Sequence, residues 1–410
     1  MTMFLDDRLC RLVADRHQEQ IGFLAELVRV PSDNPPGDCR RHGERAAALL
    51  AALGLEVERH EVPGELAQAH GMQAATNLIV RHRFGPGPVV ALNAHGDVVP
   101  PGEGWTADPY GAEIREGWMY GRGVAVSKSD FATYAFALTA LIASGMTLAG
   151  TVELHFTYDE ESGGMIGPKW LLDQGLSRPD FAIAAGFSYQ IVVAHNGCLH
   201  MEVSVRGKSA HAATPEAGVD ALWAATEILG ALYGLRESLA AKRSAIAGIR
   251  SPSLVVGLIE GGINTNVVPD LVRFRLDRRI IPEEAPVEAE RELVALIHER
   301  AHAMPGITVE IRRLLEARPL VPSPGQDRLV EPLRRNAEAV FGETIEAGGV
   351  PLYTDARHYS AAGIPTVLYG AGPRSIADAN AHRADERLSL TDLLRATQVM
   401  ALTLADLLKA

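Results

Sequence analysis

A histidine and an aspartate lie two residues apart, directly after the apolar run at residues 89–92. Side chains at positions i and i+2 of an extended segment point to the same face, so His95 and Asp97 are predicted to share one side of a strand end. There the imidazole can bind a metal ion while the carboxylate influences its orientation. A lone His-x-Asp pattern is also typical of an ordinary polar strand end, so the rest of the chain has to decide between the two.

A second candidate motif closes the predicted strand at residues 152–157. It consists of three adjacent acids, Asp159, Glu160 and Glu161. In isolation such a run is a solvated turn, because neighbouring like charges repel one another. A hydrolytic metal site, however, needs one carboxylate on the metal and another that takes a proton from water. Together with the histidine motif, the run therefore indicates a hydrolytic metal site.

The motifs and their order resemble those of the M20 metallopeptidases, the family of acetylornithine deacetylase, succinyl-diaminopimelate desuccinylase and glutamate carboxypeptidase. The resemblance spans residues 20–405. The blocks that carry it are residues 92–123, 159–164, 209–215, 264–279 and 353–386. The second of these, Asp-Glu-Glu-Ser-Gly-Gly, matches the family's D-E-E-x-G-G block.

The resemblance implies roles for five residues of the expected catalytic domain. The metal ligands are His95, Glu161 and His382, and Glu160 is the general base. Asp97 orients the imidazole of His95. The protein is therefore expected to be a metallohydrolase acting on carbon–nitrogen bonds.

The resemblance also implies roles for residues of a second domain. His211 corresponds to a histidine that, in relatives, crosses a dimer interface to polarise the substrate carbonyl. Asn266 and Arg279 match positions that anchor the substrate. Arg278 takes the role of the arginine if the register slips by one residue.

Two carboxylates of the family pattern are absent. The position of the aspartate that bridges two metals in relatives is Val126, and the position of a later glutamate ligand is Gly186. A normal dinuclear site is therefore unexpected, and we predict one weakly held divalent ion, Mn or Zn, on the three remaining ligands. Three further side chains are open as unexpected ligands, Asp130, Asp159 and His155, although the family register points none of them at the site.

The incomplete ligand set guides the substrate prediction. It favours a chelating substrate, and it resembles the family's aminohydrolase branch, which acts on 5-nitroanthranilate. The specific prediction is hydrolytic deamination of a small aromatic amino carboxylate, giving 5-nitrosalicylate and ammonia, with Glu160 as base. The alternatives are an N-acyl amino acid deacylase or carboxypeptidase and, from another class, a non-catalytic binding protein.

The alternation of helices with buried strands predicts an α/β catalytic domain with a mixed sheet flanked by helices. From residue 198 the pattern changes to strand-helix-strand-strand-helix-strand, which predicts an inserted ferredoxin-like α+β sandwich. The expected catalytic domain covers residues 1–196 and 315–410. The expected dimerisation and lid domain covers residues 197–314.

Composition excludes several classes of protein. The net charge of −12 over 410 residues argues against nucleic acid and anionic membranes as partners. Three scattered cysteines without a C-x-x-C pattern argue against a disulfide framework or a zinc ribbon. Residues 1–16 lack a signal-peptide core, and no run has the length of a membrane span. We expect a cytoplasmic homodimer or higher homo-oligomer that binds a small substrate bearing a carboxylate.

Overall fold

The computed structural model describes residues 7–409. The prediction that residues 1–16 lack a signal-peptide core falls partly on residues 1–6, which lie outside that range. Within it the chain forms eleven α-helices: α1 (Asp7–Asp15), α2 (His17–Val28), α3 (Arg40–Ala52), α4 (Gly64–Ala69), α5 (Lys128–Ser144), α6 (Pro168–Asp173), α7 (Ala221–Leu239), α8 (Pro286–His302), α9 (Asp327–Phe341), α10 (Ala356–Ala361) and α11 (Leu390–Leu407).

The same residues form fifteen strands: β1 (Val57–Glu61), β2 (Thr76–Arg83), β3 (Val89–His95), β4 (Glu113–Arg115), β5 (Trp118–Tyr120), β6 (Thr151–Thr157), β7 (Phe181–Ala184), β8 (Gln190–His195), β9 (Gly197–Arg206), β10 (Ser253–Gly261), β11 (Leu271–Ile280), β12 (Thr308–Ala317), β13 (Glu346–Val350), β14 (Thr366–Leu368) and β15 (Arg387–Ser389).

The chain folds as two compact units. The first contains the described residues up to Val193, Pro322–Gly348 and the residues from Thr354 onward, and the second contains Ala194–Val321 and Gly349–Tyr353. The sequence-based bounds 197–314 fall inside the second unit. The short return at Gly349–Tyr353 was not anticipated, and the roles given to the two domains remain predictions.

The first unit is built on a mixed sheet with the strand order β1-β2-β6-β3-β7-β14-β8-β13. Its centre is parallel, from β6 through β3 and β7 to β14. In the apolar run of β3, Val90, Ala91 and Leu92 are fully buried, as expected for a parallel strand covered on both faces. Helix α5 is buried almost all round, because α1, α2 and α11 pack against it as well as β3.

The second unit is an antiparallel sheet with the order β10-β11-β9-β12, against which α7 and α8 pack. Buried residues alternate along β11, so one face of the sheet meets the helices and the other carries polar side chains. The element order β9-α7-β10-β11-α8-β12 agrees with the predicted strand-helix-strand-strand-helix-strand pattern.

Several predicted elements need correction. The helical spacing of apolar residues predicts a single helix at residues 12–30, but the structure has two helices separated at Arg16, whose ψ of 8° departs from helical geometry. The alternation of apolar and charged residues at 55–58 predicts a strand there, and the strand starts two residues later, as β1. Apolar spacing predicts a helix from about residue 217 to residue 232, but the helix starts later, because the carboxylate of Asp220 caps α7 by accepting from two backbone amides. Among residues 7–409, no helix combines the length and apolar surface needed to cross a membrane.

Candidate metal centre and active site

The two sequence motifs meet at one edge of the large sheet. His95 ends β3, and the one-turn 3₁₀ helix Glu160–Ser162 follows β6. The two strands are parallel neighbours, with His95 opposite Thr157. Because parallel strands deliver their carboxyl ends to the same edge, the imidazole and the acidic turn are brought side by side.

His95, Glu160 and Glu161 form a compact group of potential ligands, in which one atom from each lies within 4.8 Å of the others. Nε2 of His95 is 4.0 Å from a carboxylate oxygen of Glu160. His382 is outside this group, but its Nε2 lies 3.2 Å from Oε1 of Glu161. We refer to these four residues as the ligand cluster. The structure therefore brings the predicted ligands and the predicted base together, with His382 at the margin.

One carboxylate oxygen of Glu161 is available to bind a metal ion. Its Oε1 is buried and makes no hydrogen bond of normal geometry to any residue from 7 to 409, although Nε2 of His382 approaches it. Pairing with Glu161 raises the pKa of His382. His382 is half exposed, and its backbone φ of 61° lies in the left-handed region that non-glycine residues seldom adopt. The loop therefore holds His382 in an unusual conformation beside Glu161.

Asp97 holds residues of the ligand cluster in place through hydrogen bonds. Its fully buried carboxylate accepts hydrogen bonds from the amides of Glu160 and Glu161, both at 3.2 Å, and from Nδ2 of Asn34 at 3.0 Å. Its backbone carbonyl lies 3.0 Å from Nδ1 of His95. A carbonyl only accepts, so Nδ1 carries the hydrogen and Nε2 is the nitrogen free to bind a metal. Asp97 thus positions the acidic turn as well as the histidine.

The electrostatics of the cluster favour a cation. Burial is the main factor that raises the pKa of Glu160 to about 8, and the neighbouring Glu161 adds to it. Burial lowers the pKa of His95, but Asp97 and the two glutamates outweigh it and hold that pKa well above its usual value. Buried carboxylates that surround an imidazole are stabilised by positive charge. Nitrogen and carboxylate donors together with the unpartnered Oε1 of Glu161 fit a divalent ion such as Zn or Mn.

The two positions that lack carboxylates are close to this cluster. The hydroxyl of Ser127 lies 3.1 Å from both the amide and the carbonyl of His95, which places Val126 beside it. At Gly186, a Cβ atom would lie 2.8 Å from the side chain of Leu368 and from the amide of Tyr369. A glutamate could therefore return at position 186 only if the backbone shifted.

Two other buried carboxylates in this neighbourhood, Glu386 and Asp130, are occupied by the protein itself. Glu386 accepts from the amides of Ala125 and Val126, at 3.0 and 3.2 Å, and pairs with Arg122 at 2.6 Å. Asp130 accepts from the amide of Ala371 at 2.7 Å. We refer to five residues as the tie region: Arg122, Val126, Asp130, Gly186 and Glu386. Sequence reasoning gave Glu386 and Arg122 no task, although both stand in the motif blocks.

The open candidates for an unexpected ligand are also engaged. Nδ1 of His155 lies 2.8 Å from the hydroxyl of Tyr359, and its Nε2 lies 2.9 Å from Glu153. Oδ2 of Asp159 accepts from the amide of Ile166 at 2.7 Å, whereas its buried Oδ1 has no hydrogen-bond partner among the described residues. Neither residue, nor Asp130, belongs to the compact ligand group found among residues 7–409.

In the second unit, His211 and Asn266 lie on neighbouring loops. The amide of Ala212 donates to the carbonyl of Asn266 at 2.9 Å. Nδ1 of His211 accepts from the amide of Ala213 at 3.0 Å, so the neutral imidazole carries its hydrogen on Nε2. His211 is exposed and therefore has an N–H donor available to a ligand.

The two candidate arginines differ sharply in exposure. Arg278 is fully buried and pairs with Glu284 at 2.7 Å, so its charge is already satisfied. Arg279 keeps 30 % of its side chain exposed and pairs with Asp277. Of the two arginines, Arg279 is the one that a ligand can reach. Its role as a substrate anchor remains a prediction.

Comparison with known proteins identifies the family. A model of Peptidase family M20/M25/M40 matches residues 91–406, which is well over half of the chain. The chain belongs to this family.

Curated relatives of this M20 protein are enzymes of amide hydrolysis. It is 29 % identical over 402 residues to a succinyl-diaminopimelate desuccinylase of Gluconacetobacter diazotrophicus, which covers 93 % of this chain and 95 % of the relative. It is 30 % identical over 369 residues to an acetylornithine deacetylase of Myxococcus xanthus, with 88 % and 90 % covered. The predicted family and the predicted class of carbon–nitrogen hydrolase are confirmed.

Solved structures agree on the fold. A dinuclear metal-binding peptidase of the M20 family from Bacillus subtilis superposes with a TM-score of 0.69 at 18 % identity, over 97 % of this chain and 99 % of the other. At that identity the match establishes the fold alone, and the predicted fold class is confirmed. The family is metal-dependent, whereas the metal and its number in this M20 member are matters for proposal.

Proposed function

We propose that this M20 hydrolase cleaves the amide bond of an N-acyl amino acid and uses one divalent metal ion. The observation that carries the proposal is the buried group of His95, Glu160 and Glu161 at the edge of the sheet. The relatives named for succinyl and acetyl substrates support the choice of bond.

His95 and Glu161 would hold the ion together with His382. A divalent ion in that position supplies a Lewis acid, which lowers the pKa of water and polarises a carbonyl group. Zinc and manganese both accept imidazole and carboxylate donors. The half-exposed side chain of His382 supports a site that loses its metal readily.

The remaining chemistry belongs to side chains of this chain. Glu160 would take a proton from the attacking water at its carboxylate and return it to the leaving nitrogen, a task that favours a pKa near neutrality. Asp97 would keep His95 and the acidic turn in place. In the proposed scheme His211 donates its Nε2 hydrogen to the substrate carbonyl oxygen, and Arg279 binds the substrate carboxylate.

A single ion is part of the proposal. A dinuclear centre places two ions about 3.5–4 Å apart and needs carboxylates that bridge and flank them. Val126 has no donor atom, and a side chain at position 186 would meet Leu368 and Tyr369. Elemental analysis of the purified protein should give at most one tightly bound ion per chain. Two such ions would contradict this part of the proposal.

A second candidate function is hydrolytic removal of an aromatic amine, with 5-nitroanthranilate as the specific substrate. Only the loss of carboxylates at positions 126 and 186 favours it, because an incomplete ligand set leaves room for a substrate that chelates the ion. None of the relatives described above is named for such a reaction, so the N-acyl amino acid stands first.

The substrate proposals can be separated in one assay series. N-acetyl and N-succinyl amino acids and 5-nitroanthranilate would be offered in turn with added manganese or zinc, and release of amino acid or ammonia measured. Hydrolysis of an N-acyl amino acid that is lost in Glu160→Gln supports the first proposal. Ammonia release from 5-nitroanthranilate alone would replace it with the second. A protein that binds these compounds equally well with Gln at position 160, without turnover, would be a binding protein.

We also propose that the protein forms a homodimer or a larger homo-oligomer through its second unit. The edge strand β10 exposes Val255, Leu258 and Ile259, which are 49, 60 and 55 % accessible, and Trp223 on α7 is 60 % accessible. Apolar side chains on an open strand edge favour pairing with another chain. Light scattering should give at least twice the mass of one chain, and Leu258→Lys should lower it. A monomeric wild type would contradict the proposal.

A further inference from the structure

We propose that His200 and Asp277 are positioning residues that hold the guanidinium of Arg279 in place for a substrate carboxylate. The proposal rests on the proposed function in one respect, the role of Arg279 as the substrate anchor. It adds two residues to which neither the motifs nor the comparisons give a task.

The second unit brings the three residues together on neighbouring strands. In the antiparallel pairing of β11 with β9, Asp277 lies opposite His200, and Arg279 lies opposite Cys198. Residues two apart on a strand share a face, so Asp277 and Arg279 project from β11 on the same side. The sheet register alone therefore creates a row of His200, Asp277 and Arg279.

Asp277 bonds to the arginine through a single oxygen. Nε and Nη2 of Arg279 lie 3.1 and 3.0 Å from its Oδ2. The guanidinium also lies over the ring of Tyr353, 5.9 Å from the centroid. Nη1 makes no hydrogen bond to any of residues 7–409. Two of the three nitrogens are thus fixed by the protein, and the third is available to a ligand.

His200 forms a second ion pair with the same carboxylate. Its Nε2 lies 3.3 Å from Oδ2 of Asp277, the same oxygen that Arg279 uses. Asp277 chiefly, with a contribution from Cys198, raises the pKa of His200 to about 9. Burial raises the pKa of Asp277, but His200 and Arg279 outweigh it and lower that pKa. At neutral pH one carboxylate therefore lies between two cations.

The charges of His200, Asp277 and Arg279 together favour the binding of an anion. With Asp277 alone, the arginine and the carboxylate would form a neutral pair with little attraction for an anion. The imidazolium of His200 shares the charge of Asp277, so the three groups keep a net positive charge. Arg279 is held rigidly yet still attracts a substrate carboxylate, which is the condition for a well-defined charged hydrogen bond.

The test compares Asp277→Asn and His200→Gln with wild type on an N-acyl amino acid and on the corresponding carboxamide, which lacks the carboxylate. The KM for the acid should rise by about tenfold in Asp277→Asn and about threefold in His200→Gln, while kcat stays within about twofold. The KM for the carboxamide should not change. Glu202→Gln is the matched control, because it removes a carboxylate from the next position on the same face of β9.

A second readout does not depend on activity. With ¹⁵N-labelled arginine, the Nε–H signal of Arg279, assigned with Arg279→Lys, should exchange slowly with water in the wild type. It should exchange fast in Asp277→Asn and at an intermediate rate in His200→Gln. If the wild type hydrolyses no N-acyl amino acid, the proposed function fails, and this signal still decides the positioning.

Two results would overturn the inference. The first is an Nε–H signal and a KM for the acid that are unchanged in both variants. The second is a fall in kcat with KM unchanged, which would place the two residues in the chemical step. If Asp277→Asn fails to fold, His200→Gln decides between these outcomes.

Discussion

Buried carboxylates occur in two neighbouring regions of the first unit, the ligand cluster and the tie region, but their oxygens have different partners. In the tie region Glu386 accepts from two backbone amides and pairs with Arg122, and Asp130 accepts from another amide. In the ligand cluster Oε1 of Glu161 has no hydrogen-bond partner among the described residues. The carboxylates of one region stabilise the backbone, and those of the other are available to a cation.

The difference shows that a buried carboxylate does not by itself indicate a metal site. The two regions differ in whether backbone amides donate hydrogen bonds to the carboxylate oxygens. Asp97 takes up the amides of Glu160 and Glu161, which leaves the side chains of those glutamates free of that task. In the tie region the backbone amides of residues 125 and 126 donate directly to the side chain of Glu386, and the amide of residue 371 donates to Asp130. Variants of the two regions should therefore affect different properties.

The largest effect is expected from Glu160→Gln, which removes the proposed base and keeps its shape. The value of kcat/KM should fall by about 10²–10⁴-fold, while the metal content stays at the wild-type level. Steady-state kinetics together with elemental analysis would measure both. Glu310→Gln, at an exposed carboxylate of β12, serves as the control. Full activity with Gln at position 160 would remove Glu160 from the mechanism.

Glu386→Gln addresses the tie region. Arg122 would be left with a buried charge and no anionic partner, so the free energy of unfolding should fall by about 3–5 kcal/mol. Urea denaturation measures this, and the fraction that remains folded should still bind metal. Glu343→Gln breaks the exposed pair with Arg374 and should leave stability essentially unchanged. Loss of metal in folded Glu386→Gln would erase the distinction between the regions.

Glu161→Gln is the converse variant in the ligand cluster. Metal affinity should fall by at least about 100-fold, beyond the ~10–100-fold typical of groups that only support a ligand. The stability of the metal-free protein should change little, because Oε1 makes no hydrogen bond of normal geometry to a described residue and its ion pair is with the half-exposed imidazole of His382. Metal titration and thermal unfolding in a chelator would test the two halves separately. Wild-type affinity in this variant would exclude Glu161 as a ligand.

Asp130→Asn is expected to act through the pH dependence of stability. Burial raises the pKa of Asp130 from 3.8 to about 7. The folded protein therefore binds this proton more tightly than the unfolded chain, and the stabilisation is complete below pH 3.8 and is lost as the pH rises through about 7. Asn cannot ionise, so the decline in unfolding free energy across that window should be shallower by up to about 1.4 kcal/mol per pH unit.

Urea titrations of wild type and Asp130→Asn at a series of pH values would measure that difference in slope. Metal content should be the same in both proteins, since Asp130 lies outside the compact ligand group. Identical slopes would show that Asp130 ionises as freely in the folded protein as in the unfolded chain. A loss of metal would move Asp130 into the ligand cluster.

Much of the fold was predictable because its signals are local. The apolar run of β3 and the change of pattern near residue 198 follow from neighbouring residues, and both predictions agree with the structure. The break at Arg16 was not predicted, because the apolar spacing of α1 and α2 continues across it. Short strands such as β4 and β15 carry too few residues for a recognisable period.

The candidate site was predictable in part for the same reason. His95 ends a strand and Glu160 follows one, and their motifs are contiguous. The contribution of Asn34, whose amide bonds to Asp97, left no local signal beyond its place in a proline-rich break. The roles of Asp97 toward the acidic turn and of Glu386 toward residues 125–126 depend on contacts between distant parts of the chain, and these appear only on folding.

The sequence by itself determined which donor atoms this protein has, including the absence of carboxylates at positions 126 and 186, because folding cannot supply an atom that the side chain lacks. Only the tertiary structure decided which of the remaining carboxylates are free. That outcome depends on which backbone amides lie within reach, and long-range packing places those amides beside Asp97, Asp130 and Glu386 rather than beside Glu161.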